Sequence, residues 1–416
     1  MSGGDRSRAW RSWLAFGLWV AAIYLTVPFV RTLERAVKST LGVAAFGYLV
    51  VVTVAIAFLG CLWLLLKRAR RLRLSALLGL LAVTAAFVIW ALHLWLRPGG
   101  EPVEAVHLVE YGLLGVLAAR ALRHHASDSG ALLAAALLVA LVGTLDEVIQ
   151  WVVPNRYFDL RDIVVNAGSG ALVQVALGAM AEPPGALPRP AGLRLACHLG
   201  VAELLLLGLC LLNTPARVEA YRAALPGLAF LSDRSDTMAE YGYRLVDPVV
   251  GTFRSRLRLA ELEQQDRSRG VEVAAIVGRY PRYRDFLAEW GPARDPFAYE
   301  ARVHLFSRDQ NLADSRKNSE VERLSRQHAT TAYRENLLLE TFFLHTLAAS
   351  RQRLSAEVRA ELEALQQPGS AFESRVSSHL ITAVSERQAL VLVAGLTVAL
   401  LALGRRLGRK NDGRKP

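Results

Sequence analysis

Cysteine is scarce in this chain: three among 416 residues, Cys61, Cys197 and Cys210, each inside a long apolar run. That usage leaves no CxxC metal or redox site and no disulfide framework. Internal repeats, low-complexity tracts and strand-type alternation are missing as well, which argues against solenoids, disordered tails and β-sandwiches. A nucleic-acid partner is excluded despite the formal charge of +12. The basic residues stand in short clusters beside the apolar runs, where membrane topology and anionic headgroups explain them.

What the chain has in abundance is bunched hydrophobicity: 53% of residues are hydrophobic, and they fall in runs at 13–30, 41–66, 74–96, 104–122, 131–153, 163–181, 193–213 and 388–404. A spanning helix needs about 20 apolar residues, so eight transmembrane helices are expected. The first run follows Arg6, Arg8 and Arg11 and ends without a small-x-small cleavage site, so it reads as a retained span.

Lys and Arg in the short loops set the orientation. One set of connections carries Arg6, Arg8 and Arg11, then Lys67 to Arg73, then Arg120 and Arg123, then Arg189 and Arg194, then Arg405 to Lys415. The alternate set is poorer in bases. Both termini are therefore expected in the cytoplasm, and residues 214–387 outside it.

That outer segment holds 25 basic and 24 acidic residues, so it presents no single-sign surface. TMAEYGYRLV, VEVAAIVGRY, YRENLLLETFFLHTLAASR and AEVRAELEALQQ space apolar residues at i, i+3, i+4 among good helix formers. Asp247-Pro248, Tyr280-Pro281, Gly291-Pro292 and Gln367-Pro368-Gly369 read as breaks between helices. The fold class expected is all-α: a polytopic helical membrane protein with an α-helical extracytoplasmic domain between its last two spans. Glu300, His304 and Asp309 mimic a ligand set, but a solvated helix face is the expected reading.

The chemistry is concentrated between residues 107 and 166. His107, Glu110 and Tyr111 share one helix face by their i, i+3, i+4 spacing. Asp146 and Glu147 precede Gln150 by about one turn, Arg156 lies in the following loop, and Asp162 and Asn166 open the next helix. Ionisable groups at spanning depth cost roughly 2.5–3.5 kcal/mol each on insertion scales. Such a cluster is a functional-site hypothesis by default. Gly112, Gly115, Gly143, Gly168, Ser169 and Gly170 would let these three helices approach closely. Elsewhere, Glu203 and Gln174 sit at similar depth and are expected to pair. Trp10, Trp13, Trp90, Trp95 and Trp151 lie near run ends and read as interface anchors.

The H-x-x-E-Y, D-E-x-x-Q, Arg156 and D-x-x-x-N pieces, in that order and spacing, resemble the VanZ-like membrane proteins over roughly residues 13–181. On that resemblance residues 1–181 form a VanZ-like six-helix membrane domain. Residues 182–213 are a linker and seventh helix, 214–387 the extracytoplasmic α-helical domain, and 388–416 an eighth helix with a basic cytoplasmic tail. The resemblance implies a polytopic bacterial envelope protein and a link to envelope-antibiotic tolerance. It implies no settled reaction. The seventh and eighth spans and the outer domain lie beyond it.

Three readings of the cluster stay open. Carboxylates with a histidine in a partly desolvated pocket would hold a protonated acid beside an ionised base, which suits hydrolysis or group transfer. His107, Glu110, Asp146 and Glu147 could instead ligate a divalent ion, although H-x-x-E lacks the second histidine of H-E-x-x-H. Or Arg156 pairs with Asp162 or Glu147 and the cluster is a structural lock. The leading function is binding or processing of an envelope amphiphile, such as a lipid-linked glycan intermediate, with the outer domain as a cap. The alternative is a non-catalytic accessory protein whose outer domain binds a protein partner. A transporter ranks third, for want of broken helices and repeated spans.

Overall fold

The computed structural model describes residues 3–42, isolated positions between 48 and 67, 74–96, 104–126, 128–154, 156–180, 189–232, 236–367, 372–376, 381–382 and 384–412. The described chain divides into two compact units, Met1–Cys210 with Leu390–Pro416, and Leu211–Ala389. Helix dominates both, so the all-α reading holds.

In the first unit the helices are α1 (Gly3–Leu41), α2 (Leu74–Leu96), α3 (Glu104–Leu122), α4 (Ser129–Trp151), α5 (Leu160–Ala179), α6 (Pro190–Leu212) and α14 (Glu386–Asp412). Five stretches among the described residues are long and apolar enough to cross a membrane: Asp5–Val30, Ser129–Trp151, Leu160–Ala179, Pro190–Leu212 and Glu386–Arg409. Leu77–His93 is a shorter apolar helix. Helix α3 is not in that set, and most of the run expected at 41–66 lies outside the described residues. The protein is a membrane protein. Exposed Leu14, Leu18, Leu25 and Phe29 along α1 are what a lipid-facing surface requires.

Helices α3, α4 and α5 pack on one another, with α1 against α3 and α4, and α2 against α5. Their shared core is built from small and branched side chains, among them Leu114, Ala118, Ala121, Ala134, Ala135 and Val139. Small residues matter because between helices in lipid, close backbone approach and dispersion carry much of the association. A Cβ on Gly168 would come within 2.2 Å of the Trp90 ring. Trp90 therefore packs inside the unit, and Trp151 is buried too, so neither is the free interface anchor expected from its place near a run end.

The second unit contains α7 (Pro215–Ala224), α8 (Leu259–Gly278), α9 (Tyr283–Glu289), α10 (Pro296–Lys317), α11 (Glu322–Phe342), α12 (Leu344–Ala349) and α13 (Ala356–Leu365). Phe253, Phe286, Phe297, Leu305, Leu338 and Phe343 form its core. Between α7 and α8 the helical expectation fails. TMAEYGYRLV forms β1 (Glu240–Tyr241) and β2 (Tyr243–Asp247), and β2 pairs antiparallel with β3 (Gly251–Ser255) in the register Arg244 to Arg254. Turn chemistry decides it. The Asp247 carboxylate accepts from the Val249 and Val250 amides, each at 2.8 Å. Gly251 then takes a left-handed φ of +107°, which L side chains rarely adopt. Asp247-Pro248 is thus a hairpin turn and not a helix break. The returning chain extends the small β-layer: Ser374 N–H donates to the Thr252 carbonyl at 2.8 Å, and β4 (Ile381–Thr382) runs parallel to β1.

Glu300 and His304 are fully buried, so the solvated face expected for this stretch of α10 is incorrect. Glu300 accepts from the Ser255 hydroxyl at 2.7 Å and from the Arg256 amide at 2.5 Å. His304 Nδ1 lies 2.7 Å from Glu335, which also accepts from Ser374 at 2.6 Å. Asp309 alone stays near solvent, paired with Arg308. Burial alone would weaken the hold of Arg256 on its proton, but Glu240 and Glu300 more than offset that and keep its guanidinium charged.

Helix α12 is capped from another helix: buried Asp266 on α8 accepts from the amides of His345 at 2.8 Å and Thr346 at 2.9 Å, and from the Thr346 hydroxyl at 2.8 Å. Asp266→Ala strands two donors at a buried helix start. A loss of about 2 kcal/mol is expected, read as a lower midpoint for thermal unfolding of the full chain in detergent. An unchanged midpoint would show that the cap carries no net stability.

Candidate functional site

Eight of the nine polar residues between 107 and 166 come from one end of three packed helices: the N-terminal turns of α3, the C-terminal turns of α4 and the first turns of α5; Arg156 lies in the loop between α4 and α5. Glycine makes their convergence possible. A Cβ on Gly143 would lie 2.7 Å from the Asn166 Cβ and 3.3 Å from the Tyr111 ring, so only glycine lets α4, α5 and the Tyr111 side chain meet there.

Asp146 is the centre. His107, Tyr111, Gln150 and Arg156 all act on it electrostatically, and Glu110 feels both His107 and Asp146. Glu147 faces Asp159 and Asp162 as well as Asp146. The structure therefore gathers all nine residues around one locus, with Asn166 joined through its contact at Gly143.

Within that locus the bonding is uneven. One half is wired. Gln150 Nε2 donates to Glu147 at 2.8 Å and to Asp146 at 3.2 Å, and its carbonyl oxygen accepts from Arg156. Glu147 Oε2 accepts from the Asp159 backbone amide at 2.9 Å. Asp159 in turn caps α5 through the Arg161 amide at 2.8 Å and grips the Arg161 guanidinium. Glu147 thus ties the end of α4 to the start of α5. Arg156 pairs with the Gln150 amide and not, as the lock reading expected, with Asp162 or Glu147.

The other half is open. Asn166 is wholly buried, yet neither atom of its amide makes a hydrogen bond. The Tyr111 hydroxyl, Asp146 Oδ1 and His107 Nδ1 are likewise buried without a hydrogen bond of good geometry, although Tyr111 and Asp146 interact. His107 and Glu110 approach to 3.8 Å, an ion-pair distance only. Among the described residues no three His, Cys, Asp or Glu side chains gather as metal ligands. The donor set for a divalent ion that the sequence left open is thus not assembled.

Two contributors escaped the sequence reading. Tyr24 of α1 donates to the Val142 carbonyl at 2.9 Å and acts on Asp146. Trp19 donates to the Glu110 carbonyl at 3.1 Å. A tyrosine and a tryptophan within the apolar run of α1 were the available signal, since such rings seek a polar partner when buried. A further pairing was wrong: Glu203 accepts from Thr144 at 2.7 Å, whereas Gln174 donates to the Gly115 carbonyl at 2.9 Å. Each finds its partner on a different helix.

Residues 102–180 match the family described as VanZ/LLP1. The match is shorter than the resemblance drawn from residue 13, yet it encloses all nine polar residues read from the sequence. No curated protein and no solved structure matches the chain. Over residues 102–180 this chain is similar to the VanZ/LLP1 family, and further helices and a second unit lie beyond the matched stretch.

Proposed function

We propose that the open half of the polar site binds the hydroxyl- or amine-bearing headgroup of an envelope amphiphile, such as a lipid-linked glycan intermediate. The carrying observation is the buried, unbonded Asn166 amide, which meets Gly143 at the same place as the Tyr111 ring. A polar group left unsatisfied in the interior costs about 1–3 kcal/mol, and a headgroup offering both donors and acceptors would recover that. Asp146, with His107 and Glu110 at its side, is the group placed to take a proton from a bound hydroxyl, so processing of the amphiphile is the natural extension. A protein handling such an intermediate at the outer leaflet would change susceptibility to antibiotics that bind it.

Asp146→Asn tests this reading, because it keeps the shape and the Gln150 contact while removing the charge. The full chain in lipid nanodiscs, titrated with a polyprenyl-diphosphate-linked disaccharide, is expected to lose about tenfold in affinity at a nearly unchanged unfolding midpoint. That loss corresponds to one charge-assisted hydrogen bond. Equal affinity in wild type and variant would sink the proposal.

The wired half favours a second reading, a membrane accessory protein in which Glu147, Gln150 and Arg156 fix helix packing while the 214–387 segment engages a protein partner. Under it, substitutions at the site lower stability and leave no separate binding defect.

A further inference from the structure

At the opposite end of the membrane unit from the polar site, α6 and α14 run antiparallel. A Cβ on Gly200 would meet Leu400, one on Gly404 would meet Cys197, and one on Gly408 would lie 3.5 Å from the Arg194 guanidinium. The first turns of α6 and the last of α14 part around a cavity of about 250 Å³ lined by Pro190, Ala191, Arg194, Leu195, His198, Leu407 and Gly408. Its walls are apolar and its two ionisable groups, Arg194 and His198, are basic. Among the described residues no carboxylate lines it. Asp128, which meets α6 at Gly192, is occupied in capping α4 through the Gly130 amide at 2.7 Å.

The end of the unit on which this cavity opens is rich in basic residues. Ser12 of α1 contacts His124 after α3 at 3.2 Å, which brings Arg8 and Arg11 to the same end as Arg120 and Arg123. Exposed Arg405, Arg406 and Arg409 close the set on α14. An apolar wall with a basic lip, between two helices apolar enough to span a bilayer, meets both halves of one kind of ligand: an acyl chain along the helices and an anionic phosphate at their ends. The volume is below the roughly 300–1,000 Å³ of pockets that enclose drug-sized molecules, so it suits a headgroup whose tails stay in the bilayer.

We infer that the α6–α14 cavity is a binding site for the phosphate of an anionic phospholipid headgroup, held by Arg194 and His198. Arg194 supplies a planar fork of donors matched to phosphate oxygens. Gly408 leaves that fork room against α14. The inference is independent of the polar site around Asp146.

The experiment uses the full chain in phosphatidylcholine nanodiscs containing a minority of phosphatidylglycerol, with phosphatidylglycerol retained per protein counted by native mass spectrometry. Wild type is expected to retain phosphatidylglycerol over phosphatidylcholine. Arg194→Gln should lower that retention about fivefold, the effect of one basic side chain near a phosphate-bearing surface. Gly408→Leu should lower it comparably by filling the cavity with every charge kept, which guards against an Arg194 variant that does not fold. Arg405→Gln, off the cavity, should leave retention unchanged. The site is overturned if Arg405→Gln loses as much as Arg194→Gln, since diffuse charge then explains the binding, or if the two lipids are retained equally. Stabilisation by inorganic phosphate in pure phosphatidylcholine discs, matching that by phosphatidylglycerol, overturns the lipid assignment in favour of free phosphate.

Discussion

Glu147→Ala is expected to destabilise the membrane unit by about 3 kcal/mol, the combined effect of losing two charge-assisted hydrogen bonds at a buried site. The carboxylate is wholly buried and holds the Gln150 amide with one oxygen and the Asp159 backbone with the other. Alanine strands the Asp159 amide, loosens the cap of α5 and lets Arg156 draw Gln150 away. Glu147→Gln, which keeps an acceptor for Asp159, should lose about half as much. Unfolding midpoints of the full chain in detergent measure both. If Glu147→Ala unfolds no more readily than wild type, the burial cost of the carboxylate cancels its bonds and the wired half is no lock. Read together with Asp146→Asn, the pair separates the two functions: stability should follow Glu147 and binding should follow Asp146.

In the second unit, Glu300→Ala should be the most damaging single substitution, at about 3–5 kcal/mol, the usual consequence of breaking a buried ion pair from one side. Glu300 accepts from Ser255 and from the Arg256 amide and stands 3.5 Å from the Arg256 guanidinium. Without it, Arg256 still has Glu240, which grips it at 2.6 Å, but β3 loses this tie to α10. Ser255→Ala, removing one neutral donor, should cost about 1 kcal/mol. Limited proteolysis of the full chain is the direct readout, with cleavage within 240–260 appearing in the Glu300 variant and not in wild type. Intact resistance there would mean that the hairpin does not depend on this contact.

Glu300 also shows where reading a sequence runs out. Its stretch, DPFAYEARVHLFSRDQ, is rich enough in charge to look solvated. The buried partners, Ser255 and Arg256, lie more than forty positions earlier, and helical spacing carries no record of them. The hairpin failed for a related reason: EYGYRLV contains fair helix formers, and the deciding groups are the Asp247 carboxylate and a glycine at positive φ four residues later. In the membrane unit the pairing of Glu203 with Gln174 rested on equal depth. Depth restricts the candidates but does not choose the azimuth around each helix, and Thr144 and Gly115 took those places.

By itself the sequence determined the helical, membrane-type class of this protein and marked out the polar residues that its three helices bring together. Apolar runs of spanning length admit little besides helix, because backbone groups in lipid must be satisfied within their own segment. Charges in such runs are too costly to be incidental. Only the tertiary structure decided how the nine residues divide. Whether a buried donor has a partner depends on angles and distances across three helices, set where Gly143 admits Asn166 and Tyr111. That contact left Glu147 and Gln150 bonded and Asn166 unbonded, a distinction that linear spacing cannot express.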